Sequence, residues 1–373
     1  MHSILIVIGT RPEAIKMAPV VLALQARDSV RVVLCVSGQH RDMVGPALEF
    51  FGLTPDIDLH VMTPGQELTD LFARVLTGVR DTIRSIKPDA MLVHGDTTTC
   101  LAAAMAAFYE HIPCGHVEAG LRTGNLNAPW PEEMNRRFVD PLCKWCFAPT
   151  ILASDNLKKE GVSEGHIFIT GNTGIDALLE AVRRVNEHPP VIEGLSESDM
   201  AGRKILLVTG HRRENFGAGL EQICAALREI ADRNPDVLIV YPVHLNPHVA
   251  EPVTRLLGGH ERIRLLPPLD YAPFVWLMQR SIVILTDSGG IQEEGPSLGK
   301  PVLVMRDTTE RPEAVTAGTV KLVGTNRAVI IAEVERVLKD SAARASMTGV
   351  GNPYGDGTAA EQIAGIMVRD LSS

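Results

Sequence analysis

Residues 4–19 read ILIVIGTRPEAIKMAP, in which five consecutive apolar residues run into Gly9 and then into a turn that opens a helical pattern. A short β-branched run closed by glycine fits a buried strand, and the turn after it feeds a helix. The theme returns at 204–219, KILLVTGHRRENFGAG. Further apolar runs at 32–36, 91–93, 237–241, 283–285 and 302–304 alternate with amphipathic stretches. Such alternation predicts βαβ units and parallel sheets, an α/β fold.

At 373 residues the chain exceeds what one hydrophobic core usually supports, so two Rossmann-like domains are expected. Their expected spans are 1–170 and 171–356, with 357–373 as a C-terminal helix crossing back onto the first. Residues 186–204, NEHPPVIEGLSESDMAGRK, lose the apolar periodicity and read as the hinge region. Each half has enough strands for its own doubly wound sheet. An interdomain cleft would face the carboxyl ends of both sheets, where open α/β folds bind ligands.

Lys and Arg number 36 against 45 Asp and Glu, a net charge of −9 that repels nucleic acid and anionic membranes. Neither is an expected partner, and an anionic ligand must meet a focused basic site. The apolar run at 4–8 is too short for a signal peptide, and no stretch approaches a membrane span. Six cysteines without a secretion signal read as reduced thiols, which points to the cytoplasm. Cys143 and Cys146 have CxxC spacing but no second such pair, so they are read as buried thiols.

Two basic turns stand out. Arg11 and Lys16 follow the first strand at the positive end of a helix dipole, where an anion site and a plain charge pair with Glu13 are equally good readings. His211, Arg212 and Arg213 occupy the corresponding turn of the second half. Later, VILTD leads into Ser288, Gly289 and Gly290, whose small residues and helix amides suit a phosphate. Glu294, about one turn further on, is placed to accept hydrogen bonds from ribose hydroxyls. None of these turns is GxGxxG or GxxxxGK[ST].

For proton transfer the candidates are Asp96 in HGDTTT, Glu118 in HVEAG and Glu132 in PEEMNRR, each expected where a strand ends or a helix starts. Two opposed carboxylates can exchange a proton with one carbon once one pKa is lifted toward neutrality. Blander readings exist: Asp96 as a helix N-cap, and Glu132 and Glu133 in i,i+4 pairs with Arg136 and Arg137. Asp56 and Asp58 form a DxD without a ligand cluster, and no metal is assigned.

Together GTRPEAIKMAP, GQHR, HGDTTT, HVEAGLRT, PEEMNRR, TGHRRENFG, YPVHLNP, TDSGGIQEE and PSLGKPVLVMRDTTERPEA resemble, in order and through nearly the whole chain, the non-hydrolysing UDP-N-acetylglucosamine 2-epimerases. The resemblance implies a GT-B-like pair of Rossmann domains in a cytoplasmic homodimer. It implies interconversion of UDP-N-acetylglucosamine and UDP-N-acetylmannosamine for polysaccharide biosynthesis, by UDP elimination to 2-acetamidoglucal and re-addition, with no cofactor. Asp96, Glu118 and Glu132 then match the proton-transfer and leaving-group residues, and His211 the diphosphate contact. Arg11, Ser288, Gly289 and Gly290 match phosphate-holding positions, Glu294 ribose, Phe274 uracil, Arg311 the sugar, and Lys16 electrostatic support. Gln39, His40, Arg212 and His244 match a second, allosteric substrate site found in some members. A hydrolysing epimerase, a GT-B glycosyltransferase and an inactive nucleotide-sugar sensor are the competing readings.

Overall fold

The computed structural model describes residues 1–39, 41–63, 65–309, 311–349 and 351–373, and of residues 41 and 42 the backbone alone. Contacts divide the chain into a first unit, Met1–Glu180 with Tyr354–Ser373, and a second, Ala181–Pro353.

The first unit holds seven strands: β1 (His2–Ile8), β2 (Val30–Val36), β3 (Ile57–Asp58), β4 (Ala90–His94), β5 (Cys114–Val117), β6 (Trp145–Ala148) and β7 (Ile167–Ile169). They lie in the order β3-β2-β1-β4-β5-β6-β7, every pairing parallel. The second unit holds β8 (Lys204–Thr209), β9 (Val237–Pro242), β10 (Ile263–Leu266), β11 (Ser281–Thr286), β12 (Val302–Val304) and β13 (Val320–Leu322). Their order is β10-β9-β8-β11-β12-β13, again all parallel. Every apolar run read from the sequence falls within one of these strands.

Parallel sheets are covered on both faces, which is why their strands are apolar along their length rather than alternating. Residues 4–8 are fully buried, as are Leu206, Leu207 and Val208 in β8. The helix Thr98–Tyr109 covers the first sheet with buried Ala102, Ala103, Ala104, Ala106 and Ala107, small side chains that let backbones approach closely. Separate apolar cores form in each unit, around Leu5, Val7 and Val93 in the first and around Val208, Ile239 and Leu285 in the second.

The division at 180 falls inside the helix Thr173–Glu187, ahead of the expected linker and beyond the expected boundary at 170. The reason is local: Ile175, Ala177 and Leu178 are buried, and Asp176 accepts the amide of Ala360 at 2.8 Å. The helix Ala359–Ser372 returns to the first unit, burying Ile363, Ala364 and Met367, and Trp145 Nε1 donates to Asp370 at 2.9 Å. The return begins at Tyr354 rather than at 357.

In each sheet the order reverses once: the chain leaves β1 toward β2 and β3, then restarts at β4 on the other side, and it does the same between β8 and β11. Loops after those strands diverge, which opens a crevice at the carboxyl ends. The loops concerned are Gly9–Thr10 and Gly95–Thr97 in the first unit, and Gly210–Arg212 with Asp287–Ser288 in the second. Among the described residues no helix is long and apolar enough to cross a membrane.

Candidate active site

Thr10 caps the helix Arg11–Gln25 through a capping box with Glu13, so Arg11 begins the helix and Lys16 lies further along it. Glu13 does not pair with Arg11. It is 1% exposed, and Oε2 accepts the amides of Gly9 at 3.0 Å and Thr10 at 2.7 Å, while Oε1 accepts the Thr97 hydroxyl at 2.7 Å. Burial, partly offset by these hydrogen bonds, pushes its carboxyl up to about 7. Glu13 therefore ties the loop after β1 to the loop after β4.

The N-cap of the helix Thr98–Tyr109 is Thr97, whose hydroxyl accepts the amide of Cys100 at 3.0 Å. Asp96 is thereby freed of the capping role and pairs with Arg136, while its backbone carbonyl accepts Asn135 Nδ2 at 2.9 Å. Glu118 follows β5 in the left-handed region, φ 70, and pairs with Lys16. A non-glycine residue there costs roughly 1–2 kcal/mol, an expense that concentrates at functional sites. His94 Nε2 lies 3.8 Å from Glu118 Oε2. Burial pushes His94 down to about 3, with Glu118 pulling it up and Lys16 and His116 adding to the fall. The ring is neutral.

Lys16, His94 and Glu118 are thus gathered at the ends of β4 and β5, with Asp96 in the adjoining turn. Glu132 opens the helix that supplies Asn135 and Arg136 to Asp96; it is half-buried, and among the described residues it has no hydrogen-bond or ion-pair partner. Its neighbour Glu133 takes the pairing expected of both: it accepts the amides of Thr123 and Gly124 and meets Arg136 and Arg137. Burial opposes its ionisation, but those partners outweigh it and hold the carboxyl below its ordinary range. Asp56 and Asp58 are spent on backbone amides, those of Leu34 and His60. Cys143 and Cys146 are buried free thiols.

In the second unit the organiser is Asp287, at the end of β11 and 1% exposed. Its Oδ2 accepts the amides of His211 at 2.9 Å and Arg212 at 2.8 Å and the Asn215 side chain at 3.2 Å. His211 Nδ1 sits 3.4 Å from Oδ1, and its ring stacks on His244 at 5.6 Å. Burial lowers the His211 pKa; Asp287 pulls the other way, and His244 and Arg212 push it further down. An uncharged His211 can donate one hydrogen and accept another.

Ser288 caps the helix Gly289–Ser297, and its own hydroxyl makes no capping bond. Arg212 Nη2 reaches to 3.9 Å from where a Gly289 side chain would begin, and the position at Gly290 is open, so the first helical turn presents bare amides beside a guanidinium. That combination suits a phosphate. Arg311 pairs with Glu293, and half-buried Glu294 lies next to it in the helix. Phe274 sits half-buried in the helix Tyr271–Arg280 after β10. Gln39 belongs to the first unit, where its Oε1 accepts the Thr99 hydroxyl at 3.0 Å, while Arg212 and His244 belong to the second. His40 lies outside the described residues.

Asp287, Glu13, Glu293 and His94 escaped the reading of the sequence as site residues. Each stands inside a quoted motif, His94 and Asp287 at strand ends and Glu13 and Glu293 in the helices that follow, so position in those strand-to-helix turns was the available signal.

Two parallel, doubly wound α/β units whose switch-point turns gather acids in one and basic side chains with bare helix amides in the other define a GT-B-like protein of the nucleotide-sugar type. A streptomycete glycosyltransferase, SnogD of Streptomyces nogalater, shares the fold alone, at TM-score 0.59 and 18% identity over 99% of each chain. The family model described as UDP-N-acetylglucosamine 2-epimerase matches residues 22–368, and this chain belongs to that family. The UDP-N-acetylglucosamine 2-epimerase of Yersinia pestis is 55% identical over 96% of each chain. The Neisseria meningitidis UDP-GlcNAc 2-epimerase, solved bound to UDP-GlcNAc, matches with TM-score 0.85 and 45% identity, covering 98% of this chain and 100% of that one.

Proposed function

We propose that this protein interconverts UDP-N-acetylglucosamine and UDP-N-acetylmannosamine by eliminating UDP to a bound 2-acetamidoglucal and adding it back. A carboxylate takes the proton from the second sugar carbon; the pair of electrons left there forms the double bond to the first carbon as its bond to UDP breaks. Return of UDP to the first carbon and of a proton to the opposite face of the second completes the epimer. The sequence is redox-neutral and consumes no co-reactant.

The observation that carries this reading is the cluster of Glu118, Lys16 and His94 beside the Asp96–Arg136 pair, in a chain of this family. Asp96, Glu118 and Glu132 are assigned to proton transfer and to assisting departure of UDP. Arg11, His211, Ser288, Gly289 and Gly290 hold the diphosphate, Glu294 the ribose, Phe274 the uracil and Arg311 the sugar, while Lys16 stabilises charge near Glu118. Gln39, His40, Arg212 and His244 are assigned to a second substrate molecule that activates the enzyme. The working form is a cytoplasmic homodimer.

In deuterated water, UDP-N-acetylglucosamine should give the manno epimer carrying deuterium at the second carbon, with no acceptor added and no net release of UDP. Unlabelled product or accumulating free sugar overturns the mechanism. Asp96→Asn and Glu118→Gln should each lower kcat by about 10²–10⁴ while UDP binding survives, as loss of a general acid or base does. His211→Ala should chiefly raise UDP loss. Wild-type rates in the carboxylate variants would remove them from the mechanism.

A further inference from the structure

His116 is wholly buried on β5, two residues before Glu118, and both of its ring nitrogens face oxygen. Nδ1 lies 2.6 Å from Asp140 Oδ1, and Nε2 lies 2.7 Å from the carbonyl oxygen of Gly95. A carbonyl and a carboxylate both only accept, so each nitrogen has to bring a hydrogen, and the ring with both is the imidazolium. Asp140 is 1% exposed; burial works against its charge, but His116 and Arg122 outweigh it and keep it a carboxylate.

Arg122 Nη2 then donates to Asp140 Oδ2 and to Glu160 Oε2, each at 2.6 Å, which balances two cations with two anions. A chain of this kind is dear to bury, and apolar side chains of similar volume stabilise a fold as well or better. What it contributes is fixed geometry. The group it fixes is the carbonyl of Gly95, a residue at φ 69 whose amide donates to Val117 at 2.9 Å and whose next neighbour is Asp96. The turn is held from the other side by Asn135, on the Asp96 carbonyl.

We infer that His116 is a positioning residue for the epimerisation: as an imidazolium neutralised through Asp140 and Arg122, it clamps the Gly95 carbonyl and so sets Asp96 in place beside Glu118. The inference rests on the acid assignments proposed above. It gives His116, Asp140 and Arg122 a part in the chemistry without any contact to substrate.

The test compares His116→Asn, whose amide points toward Asp140 but falls short of Gly95, with His116→Gln, whose Nε2 can reach the Gly95 carbonyl. For folded His116→Asn, kcat should fall about 100-fold with KM and UDP affinity held, the size expected when a reacting group is misplaced by about 1 Å. His116→Gln should recover to within about 10-fold of wild type. A purely structural residue would alter the folded fraction and leave kcat per folded molecule alone; that result overturns the clamp. Spectra of wild-type protein with ¹⁵N-labelled histidine should show both His116 nitrogens protonated, and a neutral ring overturns the inference even if neither variant folds. A wild type that yields no epimer and takes up no deuterium refutes the proposed reaction instead, whereas full wild-type turnover with an unaffected His116→Asn refutes only the clamp.

Discussion

At the scale of single residues, Asp287 and Glu13 each organise a loop with one carboxyl group. Removing the Asp287 carboxylate leaves the backbone amides of His211 and Arg212 without their acceptor in a partly buried turn, each costing up to about 1–3 kcal/mol unless the turn moves, while the Asn215 amide keeps the Met305 carbonyl. Asp287→Ala is therefore expected to weaken UDP binding at least about 10-fold, or about 1.4 kcal/mol, by titration calorimetry. Asp287→Asn, which keeps one acceptor oxygen, should lose less. Glu13 makes a prediction with a definite sign. Its carboxyl ionises near 7 when folded against an ordinary 4.5, so within that window the folded chain keeps a proton that the unfolded chain has released. Stability then falls as pH rises from about 4.5 to about 7, by up to about 1.4 kcal/mol per unit. Glu13→Gln, a neutral mimic of the protonated form, should flatten that part of the stability curve in urea titrations at a series of pH values; an unchanged slope would mean that Glu13 is not the group responsible. Neither role is legible in the sequence, because the partners that bring in the second loop, the His211 amide for Asp287 and the Thr97 hydroxyl for Glu13, stand 76 and 84 residues away.

At the scale of elements, β1, β2, β4, β8, β9, β11 and β12 were legible, since parallel strands covered on both faces are written as short β-branched runs, whereas β3, β6, β7, β10 and β13 are too short, or too mixed with polar and aromatic residues, to stand out. Helix starts were less so: HGDTTT offers Asp96 and three threonines as caps, and the choice of Thr97 frees Asp96 for Arg136, a partner from a distant helix. How tightly an element sits is carried by glycines whose meaning only packing reveals. Gly120 has φ 83, and a side chain there would start 2.3 Å from the Ala153 carbonyl oxygen in the helix Ile151–Lys159. Gly161 has φ 86 with nothing within 4 Å. Gly161→Ala should therefore cost about 1–2 kcal/mol, the backbone penalty alone. Gly120→Ala should cost roughly 3 kcal/mol or more, because that helix or its loop must also shift. Chemical denaturation of the two variants checks this, and equal losses would mean that the helix yields without resistance.

At the scale of the whole molecule, chain length and the two runs of βαβ pattern made two units legible, yet not their edges, because the helix Thr173–Glu187 carries its periodicity through the division at 180. The return of the last helix was legible only as a pattern after GVGNPYGDG, since what it covers lies on residues from the far end of the chain. That placement separates the two proposed tasks. The helix Ala359–Ser372 completes the first unit, burying Ile363 and Met367, pairing Glu361 with Arg27 and accepting the Trp145 indole on Asp370. The turns assigned to UDP, apart from Arg11, lie in the second unit, which keeps a core of its own. Deleting residues 359–373 uncovers the fully buried Ile363 and Met367 contacts, each worth about 1.5–3 kcal/mol, and so should loosen the unit that carries Asp96 and Glu118. The truncated protein is expected to lose epimerisation and deuterium uptake and to unfold at lower denaturant, while titration calorimetry still registers UDP. Should UDP binding vanish together with turnover, the assignment of the diphosphate to the second unit's own turns would have to be given up.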